Sequence, residues 1–173
     1  MAALGAFPED VAEELAEPLD PGRVRTRKGR GGGQFSYLAG HDVKRRANEL
    51  FGFGGWGHEI VSLDEIGHVP VEGKSGPGVH VGYRCVVRVW VAGEDIEYRT
   101  EGAGYGDGVE YGPAARITAC ELAIKEAETD GLKRAFTDLG DQFGLILYAK
   151  EDEVRRIEAD RDAPPPPRPN RPK

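Results

Sequence analysis

With 173 residues, 39% hydrophobic and 31% charged, the chain has the length and composition of one ordinary globular domain with room for a real core. No apolar run approaches the roughly 18 to 20 residues needed to span a membrane, and the acidic start MAALGAFPEDVAEELAEPLD lacks the basic beginning and apolar run of a signal peptide. A formal charge of -7 argues, as a sum, against nucleic acid, whose binders usually carry a basic footprint.

The distribution of charge says more than the sum. Residues 1–22 carry six acids and no lysine or arginine, and residues 23–48 carry eight cations against one acid, Asp42. Within the acidic segment, PEDVAEEL predicts a short peripheral helix with Pro8 near its start. RTRKGRGGGQ, Arg25 to Gln34, predicts a flexible, basic, glycine-rich loop. HDVKRRANELFG predicts a helix, because Val43, Ala47, Leu50 and Phe51 recur at helical spacing and Gly52 can end it. Lys44, Arg45 and Arg46 lie mostly off that stripe.

Three strands follow. WGHEIVSLDEI is the first, and HVPVEGKSGPG reads as a loop after it. In VHVGYRCVVRVWVAG, Val81, Tyr83, Cys85, Val87, Val89 and Val91 alternate on one face, with Arg84 and Arg88 on the other. AGED is a tight turn, DIEYRTEGAGYG returns as a strand, and GAGYGDG reads as a glycine-rich bend. A long helix spans about Pro113 to Leu139, with Pro113 at its first position and an apolar face of Ile117, Ala123 (or Ile124), Ala127, Leu132, Ala135, Phe136 and Leu139. Gly131 inside it marks close packing or a bend, and Gly140 caps it. The charged and proline-rich end, to APPPPRPNRPK, has no means of building a core. The order predicts a compact α+β domain: an antiparallel β-β-β meander followed by a long helix, with flanking helices.

Sequence motifs exclude more chemistry than they support. EGKS ends like a nucleotide-binding loop, but the glycine required five residues before Gly73 is His68 and no helix follows. GAGYGDG does not follow G-x-G-x-x-G and sits in no βαβ unit. The four histidines form no H-E-x-x-H pattern, and His58 and Glu59, adjacent on a strand, face opposite ways. Cys85 and Cys120 are far apart, without metal-ligand spacing, which suits reduced thiols in a cytosolic protein. No cofactor is expected.

Cations with aromatics remain. Arg25, Arg27, Lys28 and Arg30 precede Phe35 and Tyr37, and Lys133-Arg134 precedes Phe136, itself read as core. Such a set suits nucleic acid: cations neutralise phosphates, and exposed aromatic faces stack on bases.

Three stretches together resemble the Rad fifty-two family of single-strand annealing proteins: GGGQFSYLAGHDVKRRANELFGFGGWGHEI, VGYRCVVRVWV and ACELAIKEAETDGLKRAFTDLGDQFG. The pieces N-E-L-F-G-x-x-G-W and E-A-x-T-D-G-L-K-R-A are the most specific, and the likeness covers about residues 23–150. It implies a β-β-β-α core in a homo-oligomeric ring or arc, with single-stranded DNA in a positive groove, backbone inward and bases outward. Lys133 and Arg134 match the family's paired groove cations. Arg27 aligns with its groove arginine, with Lys28 a close alternative, and Tyr37 with the tyrosine ahead of Gly-His. Arg25 and Arg30 are weaker candidates. The family's outer DNA site is not traceable, and Arg116 and Lys125 are its only candidates here. The resemblance divides the chain into an acidic segment, 1–22, an annealing and ring-forming domain, 23–150, and a flexible tail, 151–173. The short tail is expected of a bacterial or phage-like member, in the cytoplasm with the nucleoid, and a single-strand-binding protein is a candidate partner.

Annealing makes no covalent bond, so an ATP-independent binding protein rather than an enzyme is expected, active in recombination and double-strand break repair. Three alternatives stay open: end protection without annealing, nucleotide hydrolysis through Lys74, and a basic band that binds acidic partners.

Overall fold

A computed structural model of the chain describes residues 7–28, 32–93 and 97–149. Its elements are α1 (Glu9–Ala16), β1 (Val24–Lys28), β2 (Gln34–Leu38), α2 (Gly40–Phe51), β3 (Trp56–Gly73), β4 (Gly76–Ala92), β5 (Glu97–Tyr111) and α3 (Ala115–Thr137). Short 3-10 turns stand at Pro21–Arg23, Asp141–Phe143 and Leu145–Tyr148. Strands β3, β4 and β5 form an antiparallel sheet in that order, and β1 and β2 form a separate two-stranded hairpin. The α+β meander followed by a long helix is thus the observed architecture.

The valine alternation of β4 builds the core. Val81, Cys85, Val87, Val89 and Val91 are fully buried on one face. The opposite face carries ion pairs, Arg84 to Asp64 at 2.9 Å and Arg88 to Glu59 at 2.8 Å, with Arg88 also on Glu101. Arg84 and Arg88 are therefore both ion-paired with cross-strand acids.

Helix α3 lies on the buried face. Ala119, Ala123, Ala127 and Ala135 are fully buried at helical spacing, opposite Gly102, Gly104, Gly106 and Gly108, which alternate along β5. A methyl group on any of the four would come closer than 3.0 Å to the α3 backbone. GAGYGDG is consequently strand rather than bend: the missing side chains let helix and sheet meet backbone to backbone. Gly131 shows close packing, against Val87 and Gly102.

Other readings also need correction. HVPVEGKSGPG is not a loop: β3 runs on to Gly73, pairs with β4 through Gly73 and Gly76, and turns over Lys74-Ser75, with Gly76 at φ +98°. Arg25 to Gln34 is not simply a loop, since Val24–Lys28 pairs with Gln34–Leu38. The α3 helix starts two residues after Pro113, and Ile117 is 76% exposed rather than on the buried face. The AGED turn lies largely outside the described residues, as does the tail.

The NELFGFGGW stretch is a clamp. The Trp56 indole N–H donates to Asn48 Oδ1 at 2.8 Å, Gly52 turns the chain at φ +77°, and Trp56 meets Phe136 edge-on at 5.2 Å. Residues 7–22 pack on the body instead of hanging from it. Phe7 lies 5.7 Å from Phe51, Arg46 pairs with Glu14 at 2.6 Å, and buried Gln142 donates to the carbonyls of Glu17 and Pro18 at 2.9 and 2.8 Å.

Candidate nucleic-acid interface

The β1–β2 hairpin stands beside the C-terminal half of α3. Leu38 is buried in the core and anchors the hairpin base. At the start of α2, Gly40 is so close to Thr129 that a methyl group there would lie 2.8 Å from the threonine methyl. Between hairpin and helix runs a cleft of about 890 Å³, lined by Arg27, Lys28, Tyr37, Lys125, Lys133 and Arg134 among others. It continues into a second hollow of about 360 Å³ that shares Arg27, Tyr37, Lys133 and Arg134 and ends at Leu147 and Tyr148.

Tyr37 is the centre of this cleft. The Arg27 guanidinium lies 5.7 Å from its ring centroid and the Lys133 ammonium 5.8 Å, both within cation–π reach. Two cations from different elements therefore meet over one aromatic ring. Burial pushes the Lys133 amine below its ordinary pKa; Asp130 and Glu126 act in the opposite sense, and Arg27 and Arg134 add to the lowering. Arg134 is held by Asp130, Nε to Oδ2 at 2.9 Å, and stands 5.9 Å from the Tyr148 ring. That hydrogen bond is the main cause holding the Arg134 guanidinium above its ordinary value. Arg27 reaches Glu126 only at 4.0 Å.

The cleft thus gathers Arg27, Lys28, Tyr37, Lys133 and Arg134. Lys125 also lines it, with its amine on Glu121. Arg116 lies near the opposite end of α3, 3.9 Å from Glu65. Arg25 lines a separate recess, and Arg30 lies outside the described residues. Phe35, read from the sequence only as an aromatic after the basic run, is a wall of the cleft. It is 58% exposed and is the cross-strand partner of Arg27. Its alternation with Tyr37 in QFSYL is a strand signal. Two acids, Glu126 and Asp130, stand at the same site.

Charge pairing sets this region apart. Among the described residues, the lysines and arginines without an acid in ion-pair range are Arg25, Lys28, Lys44, Arg45, Lys74 and Lys133. All but Lys74 belong to the hairpin, α2 or the C-terminal half of α3. Of these, Lys28 and Lys133 line the cleft, and Arg25 and Arg45 line a neighbouring recess.

Comparison with known proteins gives a consistent result. A family model described as "Rad52/22 family double-strand break repair protein" matches residues 8–164. The DNA repair and recombination protein radC of Emericella nidulans is 36% identical over 149 residues, covering 83% of this chain and 24% of that protein. For the DNA repair and recombination protein rti1 of Schizosaccharomyces pombe the identity is 36% over 143 residues, 82% of this chain and 36% of the relative. The DNA repair and recombination protein RAD52 of Saccharomyces cerevisiae is 34% identical over 166 residues, 93% of this chain and 32% of that protein. The chain spans about a quarter to a third of the length of these curated relatives.

Proposed function

The chain belongs to the Rad52/22 family of double-strand break repair proteins, and on that footing we propose that it works in DNA repair and recombination by binding single-stranded DNA and annealing complementary strands. The observation that carries this reading is the meeting of Arg27 and Lys133 over Tyr37, beside Arg134, in one open cleft of an acidic protein. The cations neutralise phosphates, which lowers repulsion between strands. Asp130 grips Arg134 through Nε, so the outer nitrogens of the guanidinium remain for a phosphate in the bidentate geometry arginine favours. Phe35 and Tyr37 offer ring faces to bases. Base pairing supplies the free energy of annealing, and no covalent step or cofactor enters.

Self-association into a ring or arc is part of the proposal. Strands β3 and β5 are the two edges of the sheet, and such edges are templates for pairing with another chain. Ile60, Ile66 and Val69 of β3 are 46%, 56% and 55% exposed, which is apolar area for a neighbouring subunit to cover. The proposed setting is the nucleoid of a bacterial or phage-infected cell, where strands are taken over from a single-strand-binding protein.

The test is annealing of complementary, dye-labelled oligonucleotides without nucleotide or metal. The wild type should accelerate pairing, and Lys133→Ala/Arg134→Ala should lose the acceleration at unchanged assembly size. A wild type that binds the strands without accelerating pairing would refute annealing and favour end protection.

A further inference from the structure

Arg25 is two residues from Arg27 on β1, yet it lines a different hollow. This recess, of about 280 Å³, lies between β1, the Pro21–Arg23 turn and the first turns of α2, and it also receives His41 and Arg45. It contains two acids: Asp42 is ion-paired with Arg23, and Asp20 takes a neutral backbone amide. Asp42 Oδ2 accepts from Arg23 Nε at 3.1 Å and from Nη2 at 2.9 Å, and Asp20 accepts from the Gly22 amide at 2.8 Å. Arg25 and Arg45 have no acid in ion-pair range among the described residues. Elsewhere among the described residues each arginine has an acid in ion-pair range. Two unpaired guanidiniums facing one hollow repel each other, and a bound anion offsets that repulsion by attracting both.

The recess adjoins the cleft. Ala39 lines both, and the cross-strand partner of Arg25 is Tyr37, the centre of the cleft. Arg25 and Arg27 share one face of β1, about 7 Å apart along the strand, a spacing comparable with the step between successive phosphates of an extended strand.

We infer that the recess is a second phosphate subsite, in which Arg25 and Arg45 hold the backbone of the same single strand where it leaves the cleft over the base of the hairpin. His41 adds a ring nitrogen as a third partner. The inference rests on the single-strand reading of the cleft, and it gives the strand a direction of exit: toward α2.

The experiment compares the wild type, Arg25→Gln/Arg45→Gln and Lys74→Gln in binding oligothymidylates of increasing length across a salt series. Both recess arginines are exposed, so the glutamines leave the fold in place; the single variant Arg45→Gln serves as a milder second probe. Long oligomers should bind the double variant with a log–log salt slope reduced by about 0.7, the loss of one phosphate contact on a single strand. Oligomers too short to leave the cleft should bind it as they bind the wild type. Lys74→Gln, at the distant β3–β4 turn, should match the wild type at every length. An unchanged slope in the double variant overturns the subsite alone. So does an equal loss in Lys74→Gln, which would mark a bulk charge effect, or a loss that appears only with a change in assembly size. A wild type that binds no oligothymidylate overturns the cleft reading, and the subsite with it.

Discussion

The two sides of α3 do opposite work. Toward β5 the helix offers Ala119, Ala123, Ala127, Gly131 and Ala135 to a strand that carries glycine at every second position, and the seam closes with almost no side chain in it. Toward the hairpin the same helix offers Lys133 and Arg134 to an open cleft walled by Arg27, Phe35 and Tyr37. The closed side explains the open one. Backbone contact along four successive turns fixes the height and rotation of the helix, so the cations on its last turns meet the hairpin at a set distance. The rigid seam has no chemistry, and the site with chemistry borrows its rigidity.

Breaking the seam should therefore cost most. Gly104→Val would drive a branched side chain into the Ala127 and Gly131 backbone, with an expected loss above about 3 kcal/mol, read by denaturant unfolding. DNA binding should fall with the fold. Stability unchanged within about 1 kcal/mol would contradict backbone-to-backbone packing.

On the open side the expected effects are smaller and leave the fold alone. Phe35→Ala should weaken binding of an oligothymidylate by about 1 to 3 kcal/mol, the usual worth of one base stacked on an aromatic ring. It should leave binding of an abasic oligomer unchanged, and equal loss on both would mean that Phe35 serves the hairpin rather than a base.

A pH series sharpens the contrast further. The Lys133 amine is held below its ordinary pKa, chiefly by burial, so it loses its proton earlier than a free lysine as pH rises. DNA affinity should decline on the alkaline side below the normal lysine range, and Lys133→Arg should extend binding to higher pH. Stability should move the other way. Between the depressed folded pKa and the unfolded one, the unfolded chain binds more protons, so this group's contribution to stability rises with pH. Identical pH profiles for wild type and Lys133→Arg would remove Lys133 from the phosphate contact.

The smallest effect is expected on the far face of the sheet. Arg88 is committed to Glu59 and Glu101, and Arg88→Gln should leave binding of single strands unchanged. A clear loss would move part of the DNA surface to that face.

These regions also differ in how far the sequence reveals them. The β4 strand and the α2 and α3 helices are legible because valines at period two and apolar residues at helical spacing are strong signals. The β5 strand was cut short because glycine has no strand propensity and clusters of it signal turns. Only the partner helix, with small residues at every fourth position, gives that alternation its meaning. The hairpin was missed for another reason. Of its apolar residues, Val24 and Leu38 pack inward while Phe35 and Tyr37 face the cleft, so no buried face stands out in the local pattern. Lys133 and Arg134 stand out in the sequence through the family resemblance, and the structure brings both to the cleft. Arg45 was noticed only as part of a basic run, because its nearness to Arg25 depends on how α2 meets β1. The role of NELFGFGGW as a clamp likewise needed the Asn48–Trp56 hydrogen bond to be seen.

The measurement that tests the central claim most directly is the salt dependence of single-strand binding by the wild type and Lys133→Ala/Arg134→Ala. If the two cations hold two phosphates, the log–log slope should fall by about 1.4, at about 0.7 per contact, with the unfolding midpoint and assembly size unchanged. Parallel lines for the two proteins would contradict the account and place the DNA somewhere other than the cleft between hairpin and helix.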